Sequence, residues 1–205
     1  AGLTASVVDV DAFALHNAFG HNYPDADRGM TALVNVGHEI STILIQQDGV
    51  PILNRDVPFG TRHVREELRR MHGLGLDEAD EVLQGTSDKL PDCLPLLTER
   101  GEELARGIER AVAFMSVDGI EGRGVGTIYL SGGGARMPKL VDVVANVVAT
   151  TVNRQLGPIA RAAGFRVVRL EPTGMGGLFV AARLEPARVH LDGEIAFGPR
   201  RRRPV

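Results

Sequence analysis

The chain has 205 residues, of which 43% are hydrophobic and 24% are charged, a balance typical of a soluble folded protein rather than a disordered one. Its formal net charge of −3 excludes a strong overall attraction to nucleic acid or to an anionic membrane. The single cysteine, Cys93, excludes an intrachain disulfide and a CxxC metal site, and it fits a reducing cytoplasm.

The first predicted elements are a short strand over residues 5–10 and a helix over residues 12–19, because the apolar period changes between them. Asp11 falls at the junction of the two elements. Leu15 and Phe19 are four residues apart and share a helix face, with Phe13 close by. The polar stretch HNYPDADRG that follows predicts a surface loop.

Three strands are predicted between Thr31 and Phe59, with the Asp48-Gly49 pair forming a hairpin turn between the second and the third. The first hairpin has Gly37 at its tip, followed by two hydroxyl side chains, Ser41 and Thr42. Such a tip can offer backbone amides and hydroxyls to phosphate oxygens. The alternative is a purely structural turn with glycine at positive φ.

Residues 61–116 are rich in helix formers and predict a helical insertion. Val64, Leu68 and Met71 recur at helical spacing, and Gly73 stands where a helix end is expected. The region from Pro91 to Pro95 is predicted to be a connector.

An α/β pattern follows the linker GIEGRGVG. It predicts a strand TIYL, a helix from Met137 to about Arg154, a strand over residues 165–169, and a last helix in TGMGGLFVAARL. The tail RRRR at residues 200–203 is predicted to be solvated, with a nucleic-acid or lipid contact as the alternative.

Three consecutive glycines, Gly132, Gly133 and Gly134, separate the TIYL strand from the helix that follows it. A glycine run before a helix presents bare backbone N–H groups to an anion and lets a sugar or base lie against the main chain. The run is neither the dinucleotide GxGxxG motif nor a Walker loop, since it lacks the Walker lysine. A tight structural turn is the alternative.

Taken together, AGLTASVVDVDAFAL, ALVNVGHEISTILIQQDGVPILNRDVPFG and LSGGGARMPKL resemble the type IV pilus assembly protein PilM family, over about residues 1–145. Relatives of that family include the cell-division protein FtsA and the wider actin and Hsp70 superfamily. The resemblance implies an α/β, actin-like (ribonuclease H-like) mixed sheet with flanking helices and an inserted helical subdomain.

The resemblance also implies a division of the chain. Residues 1–30 would carry a strand and connecting helix from the first lobe, and residues 31–60 with 124–185 the core of the second lobe. Residues 61–123 would be the inserted helical subdomain, and residues 186–205 a C-terminal tail.

An adenine-nucleotide site is implied by the same resemblance. Asp11 would orient the attacking water, and Asp80 would bind the ribose hydroxyls. The remaining residues of the implied site are the phosphate hairpin, Asn35, Gly37, Ser41 and Thr42, and the adenosine-binding turn, Gly132, Gly133 and Gly134. The implied cofactor is ATP, with weakly held magnesium.

Two side chains depart from the family pattern. Asn35 replaces the aspartate that commonly holds hydrated magnesium, and Leu83 replaces a lysine expected three positions after Asp80. The first phosphate loop and the subdomain that docks a partner peptide are also expected to be missing. Because phosphoryl transfer depends on positioning and charge neutralisation, we expect no efficient ATPase activity.

The implied function is that of a cytoplasmic scaffold in type IV pilus assembly. A pilus inner-membrane protein of the PilN kind would hold it at the inner face of the membrane, without membrane insertion of its own. Alternatives are an actin-like ATPase of the FtsA or Hsp70 type, and an α/β unit with no ligand. Association with a missing first lobe or a second copy is expected through an apolar surface formed by Phe13, Leu15, Phe19 and residues 174–184.

Overall fold

The computed structural model describes residues 8–23, 29–117, 125–155, 165–167 and 179–186. Their elements in chain order are α1 (Asp11–Asn22), β1 (Met30–Val36), β2 (Ser41–Gln47), β3 (Val50–Val57), α2 (Thr61–His72), α3 (Leu76–Gln84), α4 (Leu90–Val117), β4 (Thr127–Ser131), a 3₁₀ turn (Gly133–Arg136), α5 (Leu140–Gln155), β5 (Phe165–Val167) and β6 (Phe179–Pro186). In the part of the chain so described, no helix combines the length and the hydropathy needed to cross a bilayer.

The strands form one mixed sheet in the order β3-β2-β1-β4-β6-β5. β1 pairs antiparallel with β2 and parallel with β4, so that Asn35 is flanked by Thr42 on one side and Ser131 on the other. Because β1 and β4 run in the same direction, their carboxyl ends lie at the same edge of the sheet.

The β1-β2-β3 meander confirms the three predicted strands. Asp48 has a φ of 50° and Gly49 a φ of 78° at the β2–β3 turn. Positive φ at both central residues is the geometry of a type I′ hairpin turn, which matches the right-handed twist of the flanking strands. The aspartate and the glycine therefore fix the register of this hairpin.

The two faces of the sheet pack against different helices, since successive side chains of a strand point to opposite sides. Leu33 and Leu44 lie in a small cluster with Phe19 of α1, whose ring centroid is 4.6 Å from that of Tyr129. The opposite face, which includes Val34, joins a larger core with the helices α2 to α5.

This packing corrects the predicted apolar association surface. Phe19 is fully buried against the sheet, whereas Phe13 is 42% exposed on the same helix. The predicted surface is therefore wrong for Phe19, because that ring is already used to hold α1 on the sheet.

The predicted last helix is also wrong where it is described. Phe179–Pro186 is the strand β6, which pairs antiparallel with both β4 and β5, while residues 173–178 lie outside the described part. Its small residues favour a helix locally, but hydrogen bonding between two neighbouring strands decides the conformation.

Two further boundaries differ from prediction. Pro91 and Pro95 lie inside α4 and not in a connector. Pro91 sits in the first turn, where its absent N–H would have no helical partner, and buried residues such as Leu97 and Leu104 hold the rest of the helix in place. Of the predicted strand over residues 5–10, residues 8–10 are not in a strand, and the others lie outside the described part.

Candidate functional site

Two turns meet where β1 and β4 end. Gly132 follows β4 with φ 83° and ψ 169°. A Cβ atom at this position would lie 2.5 Å from Asn35 Oδ1 and 2.6 Å from the carbonyl oxygen of Val36. Only glycine can bring the β4 end this close to the β1 end. The Ser131 hydroxyl adds a 3.3 Å hydrogen bond to the carbonyl oxygen of Val34.

The turn between β1 and β2, residues 37–40, is termed the hairpin tip here. Gly37 is not at positive φ, and a Cβ there would collide with the carbonyl oxygen of Ile40. The N-terminus of α2 donates two backbone hydrogen bonds to the tip, from Thr61 N to Gly37 O at 3.1 Å and from Arg62 N to His38 O at 2.9 Å. The tip is therefore fixed to α2 as well as to the sheet.

Charged side chains join the hairpin tip to α2. Arg62 Nη1 lies 2.8 Å from Glu39 Oε1, and Arg62 Nε lies 2.9 Å from Glu66 Oε1. The hydrogen bonds from Arg62 hold the pKa of both carboxyl groups below its ordinary value. The pKa of the Arg62 guanidinium is raised by the same two hydrogen bonds, so the three groups stay ionised at neutral pH.

A cleft of about 320 Å³ opens beside these turns. It is lined by residues from α2, α3 and the turn after β4: Thr61, Asp80, Leu83, Gln84, Gly133, Gly134, Arg136 and Met137. Gly134 faces inward, since a Cβ there would collide with Val36 and Thr61, whereas a Cβ on Gly133 would meet no atom within 4 Å. The exposed main chain of Gly133 thus forms an open wall of the cleft.

The cleft brings together three residues that the sequence predicts for the site, namely Asp80, Gly133 and Gly134. The side chain of Asp80 is 43% exposed, and its Oδ1 lies 3.4 Å from Arg65 Nη1 on α2. That contact ties α3 to α2 while leaving the carboxylate accessible. Leu83, at the position where the resemblance implies a lysine, also lines the cleft.

Four lining residues, Thr61, Gln84, Arg136 and Met137, were not predicted from the sequence as residues of the site. Arg136 is exposed at the end of the 3₁₀ turn. The one available signal was its position two residues after the glycine run. An arginine so close to a main-chain wall can place a positive, planar group over a flat ligand.

Ser41 and Thr42, which were also predicted for the site, do not line the cleft. The hydroxyl of Ser41 donates to the carbonyl oxygen of Phe59 at 2.9 Å, and that of Thr42 donates to Asp56 Oδ1 at 2.9 Å. Both hydroxyl protons are thus used in hydrogen bonds within the protein and are not free for a phosphate.

Asp11 is exposed in the first turn of α1, where its Oδ1 accepts a 2.7 Å hydrogen bond from Ala12 N. Helix α1 packs on the sheet face opposite the helical core, and Asp11 is not among the residues that line the cleft. Its predicted role as the residue that orients a water stays a prediction.

The donor set does not fit a magnesium ion held by the protein. Asn35 supplies a neutral amide oxygen, and within the described ranges no three His, Cys, Asp or Glu side chains come together as a metal site. Because Mg²⁺ prefers carboxylate and phosphate oxygens, the residues near Asn35 offer little direct ligation.

Solved structures with the same architecture are known. A structure of the PilM-PilN type IV pilus biogenesis complex is 23% identical, with a TM-score of 0.57, and the match covers 72% of this chain and 41% of that one. The ethanolamine utilization protein EutJ from Carboxydothermus hydrogenoformans is 17% identical, with a TM-score of 0.51, and the match covers 68% and 47%. An archaeal actin homologue, Ta0583, solved with ADP, is 15% identical, with a TM-score of 0.49 and coverage of 65% and 47%.

The first two likenesses confirm the predicted actin-like fold, a mixed sheet with flanking helices. The chain spans 41–47% of the length of the solved structures it matches. The family model described as type IV pilus assembly protein PilM matches residues 1–157, more than half of the chain, and the chain therefore belongs to the PilM family.

Proposed function

We propose that this PilM-family protein is a scaffold of type IV pilus assembly that binds an adenine nucleotide in the cleft and hydrolyses it slowly or not at all. One observation carries the nucleotide proposal. Asp80 and the open main chain of Gly133 line the same cleft, next to a hairpin tip fixed at the ends of β1 and α2. Glycine backbone, a carboxylate and nearby amides are the groups that a nucleoside, its ribose and its phosphates need.

In the proposed complex, each group of the cleft and of the hairpin tip contacts a different part of the nucleotide. The main chain at Gly133 lies against the base and ribose, and the Asp80 carboxylate accepts hydrogen bonds from ribose hydroxyls. Arg136 stacks its guanidinium on the base, which a flat purine ring favours. The amides of the hairpin tip bind phosphate oxygens. An added ATP could bring its own magnesium through its phosphates, since this chain contributes few ligands.

Slow or absent hydrolysis follows from what the cleft lacks. Phosphoryl transfer is accelerated by charge stabilisation around the phosphates, and removing one such donor costs on the order of 100-fold in rate. Asn35 is neutral, Leu83 is apolar, and Asp11 is not a lining residue.

The alternative is an actin-like ATPase of the FtsA or Hsp70 type. Rapid, multiple ATP turnover that disappears in Asp11→Ala would establish that alternative and contradict a scaffold that hydrolyses ATP slowly or not at all.

Calorimetry of the full chain with adenosine and ADP tests the nucleotide proposal. We expect saturable binding of both ligands and none of uridine. Asp80→Ala should weaken adenosine binding by about tenfold or more, because a hydrogen bond to a charged group contributes about 1.5–3 kcal/mol. Gly133→Ala should weaken it as well, since its methyl group would project into the cleft.

Asp142→Ala is the matched control. Asp142 also forms one exposed ion pair, at 3.3 Å with Lys139, but it lies in a different groove. Equal binding by the Asp80→Ala and Asp142→Ala proteins, or no heat with either adenosine or ADP, would contradict the proposed site.

We propose that the scaffold acts at the cytoplasmic face of the membrane through a PilN-type inner-membrane protein. Support comes from family membership and from the likeness to the solved PilM-PilN complex. An immobilised PilN-type protein should capture the chain, and an unrelated immobilised protein should not. Equal capture by both proteins would refute a specific contact.

The domain division also stays a proposal: a second lobe formed by residues 31–60 and 124–185, with residues 61–123 as its helical insertion. A first lobe, or a second copy of this chain, would then supply the facing wall of the nucleotide cleft. Light scattering at increasing protein concentration distinguishes self-association from a monomer that needs another partner.

A further inference from the structure

Glu39 places a carboxylate at the hairpin tip, whose backbone amides are the groups proposed to meet phosphate. A carboxylate near a phosphate chain is repelled by it, and the repulsion is weakened only by solvent or by a paired cation. The tip borders the cleft through Thr61, which lines the cleft and donates its backbone N–H to Gly37. Something must therefore offset the charge of Glu39 if anions are to bind here.

Arg62 is placed to offset it. Its Nη1 lies 2.8 Å from Glu39 Oε1, and its backbone N–H donates to the carbonyl oxygen of His38, the preceding residue of the tip. The second contact, from Nε to Glu66 at 2.9 Å, fixes the guanidinium from the α2 side. Both the main chain and the side chain of Arg62 thus hold the tip.

We propose that Arg62 is a positioning residue that neutralises Glu39 and holds it against α2, so that the hairpin tip can accept the phosphates of a bound nucleotide. This inference rests on the proposed nucleotide function. One cation and two carboxylates make the group formally −1, and loss of Arg62 would make it −2 and release Glu39. The effect should appear with ligands that carry phosphate and not with the nucleoside alone.

A close approach of the main chain supports the same arrangement. A Cβ on Gly60 would collide with the carbonyl oxygen of His38 and would lie 2.5 Å from the carbonyl carbon of Glu39. The residue before α2 is therefore in direct contact with the tip, and Arg62 reaches Glu39 without an intervening side chain. Nearby, Thr61 Oγ1 lies 3.5 Å from His38 Nδ1.

A double-mutant cycle with Arg62→Gln and Glu39→Gln tests the inference by calorimetry with ADP and adenosine. Arg62→Gln should weaken ADP binding about three- to fivefold, the range set by an exposed ion pair, and should leave adenosine binding unchanged. Glu39→Gln alone should leave ADP binding equal or tighter. In the Glu39→Gln background, Arg62→Gln should have no further effect, because the repulsive carboxylate is gone.

Arg106→Gln is the matched control, since Arg106 forms a similarly exposed pair with Glu102 at 3.3 Å on α4. It should bind both ligands as the unaltered chain does. Equal weakening of ADP by Arg62→Gln in both backgrounds would overturn the inference, because Arg62 would then act on the phosphate itself. Equal weakening of ADP and adenosine would overturn it too.

Failure of the proposed function gives a different result. If the unaltered chain binds neither adenosine nor ADP, the proposed nucleotide site is wrong. Hydrogen exchange then tests separately whether Arg62 positions the hairpin tip. Arg62→Gln should then speed amide exchange at residues 38–40 severalfold, whereas Arg106→Gln should not. Unchanged exchange at the tip would refute the positioning role.

Discussion

Replacing Gly132 by alanine should destabilise the protein, whereas the same change at Gly133, one residue along, should not. Gly132 has φ 83° and ψ 169°, a backbone region that is essentially restricted to glycine and costs about 1–3 kcal/mol for other residues. The new methyl group would also meet Asn35 Oδ1 at 2.5 Å and the backbone of Val36 at 2.6 Å. Crowding of this kind costs about 1–3 kcal/mol.

The sum for Gly132→Ala is a loss of about 2–6 kcal/mol in the free energy of unfolding. For a chain of this length, that corresponds to a fall in melting temperature of about 4–24 °C. Gly133→Ala meets open space at ordinary φ, so its stability should stay within about 1 kcal/mol of the unaltered chain. Thermal and urea melts followed by circular dichroism measure both variants. Equal melting of the two would refute the close approach of β4 to β1.

Other side chains give independent tests. Phe19→Ala should cost about 3–5 kcal/mol in urea unfolding, because the ring is fully buried under α1, and a loss below 1 kcal/mol would contradict that packing. Hydrogen bonds from Lys89, and then from Gly75 N–H, lower the pKa of Glu78. The contacts of the Glu78 carboxylate therefore stabilise the fold above the ordinary carboxyl pKa, and this stabilisation is lost as the pH falls through the lowered pKa. The melting temperature of Glu78→Gln should therefore decrease less steeply below about pH 5 than that of the unaltered chain. Burial raises the pKa of the Cys93 thiol, so a thiol reagent should react with it only as fast as the protein unfolds, and rapid labelling at neutral pH would contradict the burial.

The meander was readable from the sequence because its signals are local. Asp48 and Gly49 encode a turn with positive φ at both positions, and the flanking β-branched runs need no distant partner to be recognised. The same holds for α2, whose buried Val64 and Leu68 follow the helical period and whose end is marked by Gly73 in the left-handed region.

Features that depend on distant partners were missed. Phe179–Pro186 contains small residues that suit a helix, but it becomes a strand because β4 and β5 are available on both sides. Pro95 suggested a break, yet α4 continues through it since apolar contacts outweigh one lost hydrogen bond.

Some residues of the candidate site could likewise be predicted from the sequence, and others depend on packing between distant elements. Gly133, Gly134 and Asp80 were expected from the family resemblance, whereas the contribution of Thr61 and Gln84 depends on how α2 and α3 pack around the turn. The ion pair of Arg62 with Glu39 could not be predicted, because the two residues are 23 positions apart along the chain. The pair of Arg62 with Glu66 is different, since its i,i+4 spacing lies within α2.

The parallel pairing of β1 with β4 has a kinetic consequence. The hydrogen bond from Ser131 to Val34 joins residues 97 positions apart, so all three helices between the strands must be accommodated before this contact forms. Contacts of such long sequence separation form slowly, because the entropy of closing the loop is lost before any pairing compensates it. Refolding should therefore complete the meander first, and the cleft between α2, α3 and the turn after β4 should appear only in the last, rate-limiting phase.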